Sequence, residues 1–486
     1  MHSSSNKRSP PASDQSVLAA AATASSITHL PVEVPIKSVP MSKSAPLSVL
    51  PFSTVVRTLA TTTISSSRVL LPPSLAIMST LAHSERAILN PDRNPPLRWF
   101  LKKTFYAQFC AGENAAEVRH TINDIKKIGF TGVILGYARE VVLSESQTRS
   151  LSSCTEGPEA DACVRNEIAP WAAGTKETVR LAQPGDFVAL KFTGAGRQAL
   201  YALKNRLPPP KALRAAIDDI CDLATHRNIP LLFDAEQDAL QRGIDDWTVD
   251  YQRRYNTAPG HALVYGTYQA YLKSTPATLA SHLATASAEG FTLGVKLVRG
   301  AYLGADPRHI IHDTKADTDA AYDGIAASLI CRKWGTVLQP PRSSSSSSSS
   351  QGNTETPFPR VSIVLGSHNL DSVRRARAVR ASPQSAGTGT ELAIAQLQGM
   401  ADEVSCELVC AAREGGKAAG GGGGGSGGPE VPRAYKYIVW GTTKECMKYL
   451  LRRAHENRDA VARTRSGRGA MWAELKRRTW AALGMA

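Results

Sequence analysis

The residues best placed for chemistry lie near the end of this 486-residue chain, in Tyr449-Leu-Leu-Arg452-Arg453-Ala-His-Glu456-Asn457. Positions 449, 452, 453 and 456 are spaced i, i+3, i+4 and i+7, so a helix would align an aromatic ring, two guanidiniums and a carboxylate on one stripe. Met447, Leu450, Leu451 and Ala454 make the opposite face apolar and fit to dock on a core. Two guanidinium forks side by side suit a planar carboxylate, which they can grip with bidentate, charge-assisted hydrogen bonds. The implied ligand is a small amino or carboxylic acid. A solvated ion-pair ladder, with Glu456 neutralising the arginines, has the same spacing, so this stripe alone does not decide.

A second cationic cluster lies in Gly294-Val-Lys296-Leu-Val-Arg299-Gly300-Ala301-Tyr302-Leu303. A β-branched run leading into Gly-Ala reads as a buried strand whose C-terminal end lets a ligand approach the backbone closely. This segment resembles the signature strand of the proline dehydrogenase family, flavin enzymes that oxidise L-proline. The resemblance continues in chain order. It takes in Tyr106-Ala-Gln-Phe-Cys-Ala-Gly-Glu113, Gly132-Val-Ile-Leu-Gly-Tyr-Ala-Arg-Glu140, Ala189-Leu-Lys191-Phe-Thr193, Leu232-Phe-Asp234-Ala-Glu236 and Tyr268-Gln269-Ala-Tyr271. Beyond the 296–303 segment it takes in Thr314-Lys315, Ser367-His368-Asn369, Gln396-Leu397-Gln-Gly399-Met400 and Tyr437 through Asn457, so that about residues 100 to 460 are covered.

The elements that must position these groups alternate. Short β-branched runs at 131–136, 187–192, 230–234, 262–266, 293–299, 361–365, 393–398 and 435–440 are separated by helical patterns. The helical patterns fall at 114–128, 211–227, 276–288, 315–333, 369–381 and 443–462. Such alternation predicts a parallel sheet, and eight strands predict a (β/α)8 barrel, with an open doubly wound sheet as the alternative. The resemblance implies an α/β fold of the first kind: a distorted, TIM-like barrel with its last helix over the mouth. The barrel is expected over 85–465, with low-complexity inserts at 343–356 and 414–432 that each fall between a helix and the next strand. Active groups of a barrel lie at the C-terminal ends of its strands. Lys191, Asp234, Gln269, Arg299, His368 and Leu397 fall there. The glycine run matches GxGxxG trivially but lacks the strand-turn-helix context that gives the pattern meaning.

Removing a hydride from C5 of proline requires a redox cofactor, because no side chain can accept a hydride. The resemblance implies FAD. Its cradle would be Gln269 on the flavin, Lys296 and Lys315 near the pyrophosphate or ring, Arg299, Gly300 and Ala301 along the strand end, Ser367 and His368 on the adenylate side, Leu397, and Glu456 on the ribityl chain. On the substrate, Arg452 and Arg453 would clamp the carboxylate and Lys191 would add a third positive charge. Asp234 would hold Lys191, and Glu140 would gate the empty site by pairing with Arg452. Tyr302, Leu397, Tyr437 and Tyr449 would enclose the ring. A phenol at Tyr437 leaves little room for a 4-hydroxyl, which favours proline over hydroxyproline. Lys296, Gln398 and Val439-Trp440 depart from the family's usual residues, but none removes a charge needed for the reaction. Hydroxyproline oxidation, or a non-catalytic barrel that binds an anion or a partner, are the alternatives.

With 42% hydrophobic residues there is ample material for a large core. No run of about eighteen apolar residues suggests a spanning helix. The eight cysteines are irregularly spaced, and Cys406-x-x-x-Cys410 lacks the second ligand pair of a metal site. The net charge of +15 is concentrated at the ends: residues 1–84 carry +4 and 443–486 carry +7. Nucleic-acid binding would call for a basic stripe across the body, so it is not expected. Residues 1–84, rich in Ser, Thr, Ala and Pro, have the composition of an organellar transit segment, which the resemblance implies is mitochondrial, and are expected to be disordered or removed. The tail at 466–486, with Trp472 and Trp480 among cations, is either disordered or laid on an anionic surface. The family's mitochondrial members pass electrons to the respiratory quinone pool, which implies a quinone acceptor and peripheral contact with the inner membrane.

Overall fold

The computed structural model describes residues 45–84, 86–139, 151–341, 356–419, 431–459 and 461–484, with the backbone path alone for 416–419 and 452–464. Nine strands are present among them: β1 (Cys110–Gly112), β2 (Gly132–Tyr137), β3 (Phe187–Leu190), β4 (Leu231–Phe233), β5 (Val264–Gln269), β6 (Leu293–Val298), β7 (Val361–Gly366), β8 (Glu391–Leu397) and β9 (Arg433–Trp440). All ladders are parallel. From β2 to β9 each strand pairs with the next, and β9 returns to β2 with Ile134 opposite Tyr437, which closes a cylinder and excludes the open sheet. The short β1 lies beside the last residues of β9, where β8 has already ended. All eight expected strands are present, with some ends displaced by two or three residues. Helices Ala115–Ile128, Lys211–Arg227, Thr275–Glu289, Lys315–Cys331 and Leu370–Arg380 fall where the periodicity places them.

Alternation along each strand divides the core. Ile134, Phe187, Ala189, Leu232, Tyr265, Val364, Ala393, Ala395 and Tyr435 come from seven strands and form one buried plug inside the cylinder. Their sequence neighbours, such as Val133, Leu135, Ile363 and Leu365, and Val295 and Leu297 of β6, face outward and pack with residues of the surrounding helices. At the C-terminal ends of the strands the chain turns sharply into helices. Asn369 caps Leu370–Arg380 with its side chain, and Thr314 with Asp317 forms a reciprocal capping box on Lys315–Cys331.

The disorder expected over 1–84 does not hold from Ala45 onward, where the chain is largely helical; residues 1–44 lie outside the described residues. Helices Phe52–Ser66 and Leu71–His83 form a terminal layer, the first packed on Val461–Ala482 and the second on Thr443–Asp459. Arg478 donates to the carbonyls of Leu47 (3.0 Å) and Leu50 (2.9 Å), and Arg468 donates to Ser66 Oγ (3.1 Å). The expected 466–486 tail is therefore helical and packed up to Ala482. Sequence reasoning missed these helices because Thr-Thr-Thr-Ile-Ser-Ser-Ser is poor in helix formers. Its hydroxyls bond back to the preceding turn, as Thr62 does to the Thr58 carbonyl at 2.7 Å, and Val55, Leu47, Leu50, Cys406 and Met471 bury one side. Helix Asp402–Ala419 also runs into the insert expected from 414. All eight cysteines are buried and free.

Outside the cylinder, Lys436 on β9 donates to Asp402 Oδ1 at 2.7 Å, with the two side chains 3% and 5% exposed. Lys436→Met leaves a buried carboxylate without its partner and is expected to cost about 3–5 kcal/mol, whereas Lys436→Met with Asp402→Leu should recover most of it. Urea unfolding of the two variants checks the difference.

Candidate active site

Above the apolar plug the inward-facing positions become polar. Lys191 follows β3, Asp234 follows β4, Gln269 ends β5, Lys296 lies in β6, Ser367 and His368 follow β7, Leu397 ends β8 and Tyr437 lies in β9. Strand geometry thus brings most of the expected residues to one mouth. Asp234 and Lys296 are 6% and 7% exposed, and Lys296 Nζ donates to Asp234 Oδ1 at 2.5 Å. Tyr437 donates to the other carboxylate oxygen at 2.9 Å, and its ring centre lies 5.2 Å from the Lys296 ammonium. Gly136 makes room for this phenol, since a Cβ there would stand 3.1 Å from the Tyr437 hydroxyl. Burial pushes the Asp234 carboxyl upward, but the charges of Lys296 and Lys191 and the hydrogen bonds from Lys296 and Tyr437 outweigh it. The carboxyl ends below its ordinary value.

This corrects one expected pairing. Asp234 holds Lys296 directly, while Lys191 Nζ donates to the Tyr302 hydroxyl at 3.1 Å and lies 5.7 Å from that ring's centre. Tyr302 in turn donates to the Ala235 carbonyl at 3.3 Å. Lys191 faces a second buried carboxyl that sequence reasoning quoted without assigning a role, Glu236. Burial raises the pKa of Glu236 despite Lys191 and Thr193, whose N–H donates to Oε1 at 3.0 Å and whose hydroxyl donates to Oε2. The signal was available: Glu236 is a second acid just past the strand end, in the quoted Leu232-Phe-Asp234-Ala-Glu236 segment. Lys191 and Lys296 therefore share the mouth with two buried carboxyls, Asp234 held below its ordinary value and Glu236 pushed above it.

Gln269 ties the loops together. Its Oε1 accepts from Ala301 N at 3.0 Å and its Nε2 donates to the Glu236 carbonyl at 3.4 Å. Gly300 has φ +151°, and a Cβ there would stand 2.4 Å from the Tyr271 ring. Arg299 forms an ion pair with Asp319 and donates to Ser372 Oγ at 3.1 Å, while Lys315, whose side chain is 76% exposed, reaches the same Asp319 at 2.6 Å. These two cations thus lie beside the starts of helices Lys315–Cys331 and Leu370–Arg380. His368 Nε2 accepts from Leu397 N at 3.1 Å, which fixes the ring against the end of β8. Tyr449, 5% exposed, packs in the apolar cluster that also meets Tyr437. Arg452, Arg453 and Glu456 follow it in the continuous helix Thr443–Asp459, which begins just past β9. Their side chains, and Glu140 with its expected gate, lie outside the described residues.

Thr267 Oγ1, on β5 in register with Lys296 and on the inward face with Tyr265 and Gln269, is buried with no partner. An orphaned hydroxyl at the mouth, with cations and two helix starts to one side, fits a ligand with polar ring edges and phosphates.

The cylinder and its charged mouth define a (β/α)8-barrel protein with a buried polar layer at the C-terminal ends of its strands. The proline dehydrogenase family model matches residues 118–466, and the chain belongs to that family. It is 29% identical over 418 residues to a probable mitochondrial proline dehydrogenase of Schizosaccharomyces pombe, covering 78% of this chain and 80% of that one. With the mitochondrial proline dehydrogenase 1 of Caenorhabditis elegans it shares 26% identity over 383 residues, 77% of this chain but only 54% of the other. Among solved structures, proline utilization A from Bdellovibrio bacteriovorus has the same fold, with a TM-score of 0.55 at 16% identity, covering 85% of this chain and 38% of that one.

The Glu236 N–H donates to Gln241, which donates in turn to Asp245 at 2.8 Å, and burial pushes the Asp245 pKa to about 7. A carboxyl whose folded pKa exceeds its unfolded value of about 3.9 binds more protons when folded, so its effect is destabilising as pH rises from about 4 to 7. Asp245→Asn should remove a slope of at most about 1.4 kcal/mol per pH unit, making the variant more stable than the parent at pH 8 but not at pH 4. Urea midpoints at the two pH values test this.

Proposed function

We propose that this chain is a mitochondrial FAD-dependent proline dehydrogenase, oxidising L-proline to 1-pyrroline-5-carboxylate and passing the electrons to the respiratory quinone pool. The observation that supports it most directly is the polar layer of Lys191, Asp234, Lys296 and Tyr437 at the mouth of a barrel of this family. Arg452 and Arg453 clamp the substrate carboxylate from the helix that closes the mouth, and Lys191 adds the third charge. Fixing the carboxylate fixes C5, so most of the catalytic effect is orientation. Tyr302, Leu397, Tyr437 and Tyr449 enclose the ring and exclude water. The Asp234–Lys296 pair acts through Tyr437, holding its phenol in one place.

FAD would supply the hydride acceptor that no side chain offers. Gln269, Lys296, Gly300, Ala301 and Leu397 would hold its ring system. Glu456 would hold the ribityl chain, and Arg299, Lys315, Ser367 and His368 the phosphates and adenosine. The location proposed is the matrix side, with peripheral contact to the inner membrane; no described helix is long and apolar enough to cross one.

Anaerobic titration of the FAD-loaded protein with L-proline is expected to bleach the flavin at about one equivalent of reducing substrate per site. No flavin uptake, or no bleaching, would leave an anion-binding barrel as the function. Tyr437→Ser removes the bulk over the ring and is expected to raise the hydroxyproline-to-proline ratio of kcat/KM by about tenfold or more. A parent that already prefers hydroxyproline would reassign the substrate.

A further inference from the structure

The segment from Tyr106 to Glu113 takes no part in the chemistry described above, yet it meets the start of helix Thr443–Asp459, the element that carries Arg452 and Arg453. The backbone between β9 and that helix is held at Gly441. The Tyr106 hydroxyl donates to the Gly441 carbonyl at 2.9 Å, and the Gly441 N–H donates to the Gly112 carbonyl at 3.2 Å. Gly441 has φ +152°, and a Cβ there would stand 3.0 Å from Glu445 Oε2 and 3.2 Å from the Ala138 Cβ. The chain therefore leaves β9 along one path.

The opening donors of the helix are then all taken. The Thr443 N–H and hydroxyl both donate to Glu113 Oε1, at 2.9 and 2.5 Å, the Lys444 N–H donates to Asp92 Oδ1 at 3.2 Å, and the Glu445 N–H donates to Thr442 Oγ1 at 3.2 Å. Such N–H groups have no partner within their own helix, and their aligned dipoles favour a negative charge beside them. Asp92 and Thr442 are exposed, whereas Glu113 is itself fixed. Its Oε2 accepts from Lys102 Nζ at 2.7 Å, its own N–H donates to Glu117 Oε2 at 3.1 Å, and its side chain is 13% exposed. Burial pushes the Glu113 carboxyl upward, but the bonds from Lys102 and Thr443 outweigh it and hold it below its ordinary value. On the apolar side, Cys446, Met447, Tyr449 and Leu450 of the helix pack in one cluster with Tyr106, Phe109 and Cys110. One segment thus supplies both the seat of the helix and the pin at its first turn.

The pin acts on a long arm. Arg452 stands nine residues beyond Thr443, about 14 Å along the helix axis. Over that length a tilt of about 5° at the first turn moves the arginine-bearing turn by about 1 Å, and a misplacement of that size costs on the order of 100-fold in rate where orientation is the source of catalysis.

We propose that Glu113 is a positioning residue of the reaction, pinning the first turn of the helix that closes the mouth and so setting where Arg452 and Arg453 meet the substrate carboxylate. Lys102 acts with it by fixing its carboxylate, and Tyr106 by fixing the backbone at Gly441. This role rests on the activity proposed above and requires no contact between Glu113 and the substrate.

The test compares Glu113→Gln and, independently, Thr443→Val in the full FAD-loaded chain. The first removes the charge at constant size, and the second removes one donor. The kcat/KM for L-proline is expected to fall about tenfold in Glu113→Gln and about threefold in Thr443→Val. In a chain already carrying Arg452→Met and Arg453→Met, the same substitutions are expected to change the residual rate of anaerobic flavin reduction by saturating L-proline less than about twofold, because the groups they misplace are gone. Hydrogen exchange of the amides of 446–456 is expected to speed about tenfold in Glu113→Gln, with helix Lys211–Arg227 unchanged. Folded variants whose kcat/KM stays within about twofold of the parent overturn the role. A loss of equal size in the chain without the two arginines also overturns it, since Glu113 would then act on stability in general. Failure of L-proline to reduce the parent's flavin would sink the proposed activity instead; the exchange result then decides the pin by itself, and unchanged rates at 446–456 overturn it.

Discussion

The ion pair between Lys296 and Asp234, completed by Tyr437, is the constraint on which the mouth depends. Each group is nearly withdrawn from water, so each alone would be costly to ionise. Together they satisfy one another: the carboxylate accepts the ammonium on one oxygen and the phenol on the other. Such a pair is weak evidence for stability, because an apolar pair of equal volume could replace it. Its effect is positional. It joins β4, β6 and β9 through the interior, links that no sheet hydrogen bond supplies, and fixes a phenol above the apolar plug.

Around it lies a second set of bonds, in which Gln269 couples the loops after β4 and β6 and Glu236 couples the loops after β3 and β4. Nearly every atom used is backbone on one side of the bond. The network therefore fixes where the loops run, and leaves the cationic ends of Lys191 and Lys296 to set the field. A site whose charges are fixed in advance needs less reorganisation than one whose charged groups must move into place.

The barrel was legible because its strands are short, β-branched and separated by amphipathic helices, and because polar residues interrupt them only near their C-terminal ends. The partner of Asp234 was not. Lys191 follows the adjacent strand and was the natural choice, whereas Lys296 lies two strands away and meets Asp234 across the interior. Sequence parity states which side chains point inward. Which of them meet depends on the stagger of the closed sheet, a property of all eight strands together. The terminal helices were illegible for another reason: their local preferences are weak, and their stability comes from contacts between chain ends more than 400 residues apart.

The same helix serves both sides of the molecule. Tyr449 is buried in the cluster that meets Tyr437 at the mouth, and its neighbour Leu450 lines an apolar cleft under the N-terminal helices. Successive residues on a helix point about 100° apart, so this element separates the mouth from the cleft by the width of its own backbone. Leu450 cannot shift along the helix axis without moving Tyr449 by the same amount, because the backbone hydrogen bonds between them are stiff compared with side-chain packing. The terminal helices are in this way packed against the same element that carries Tyr449 into the cluster at the mouth.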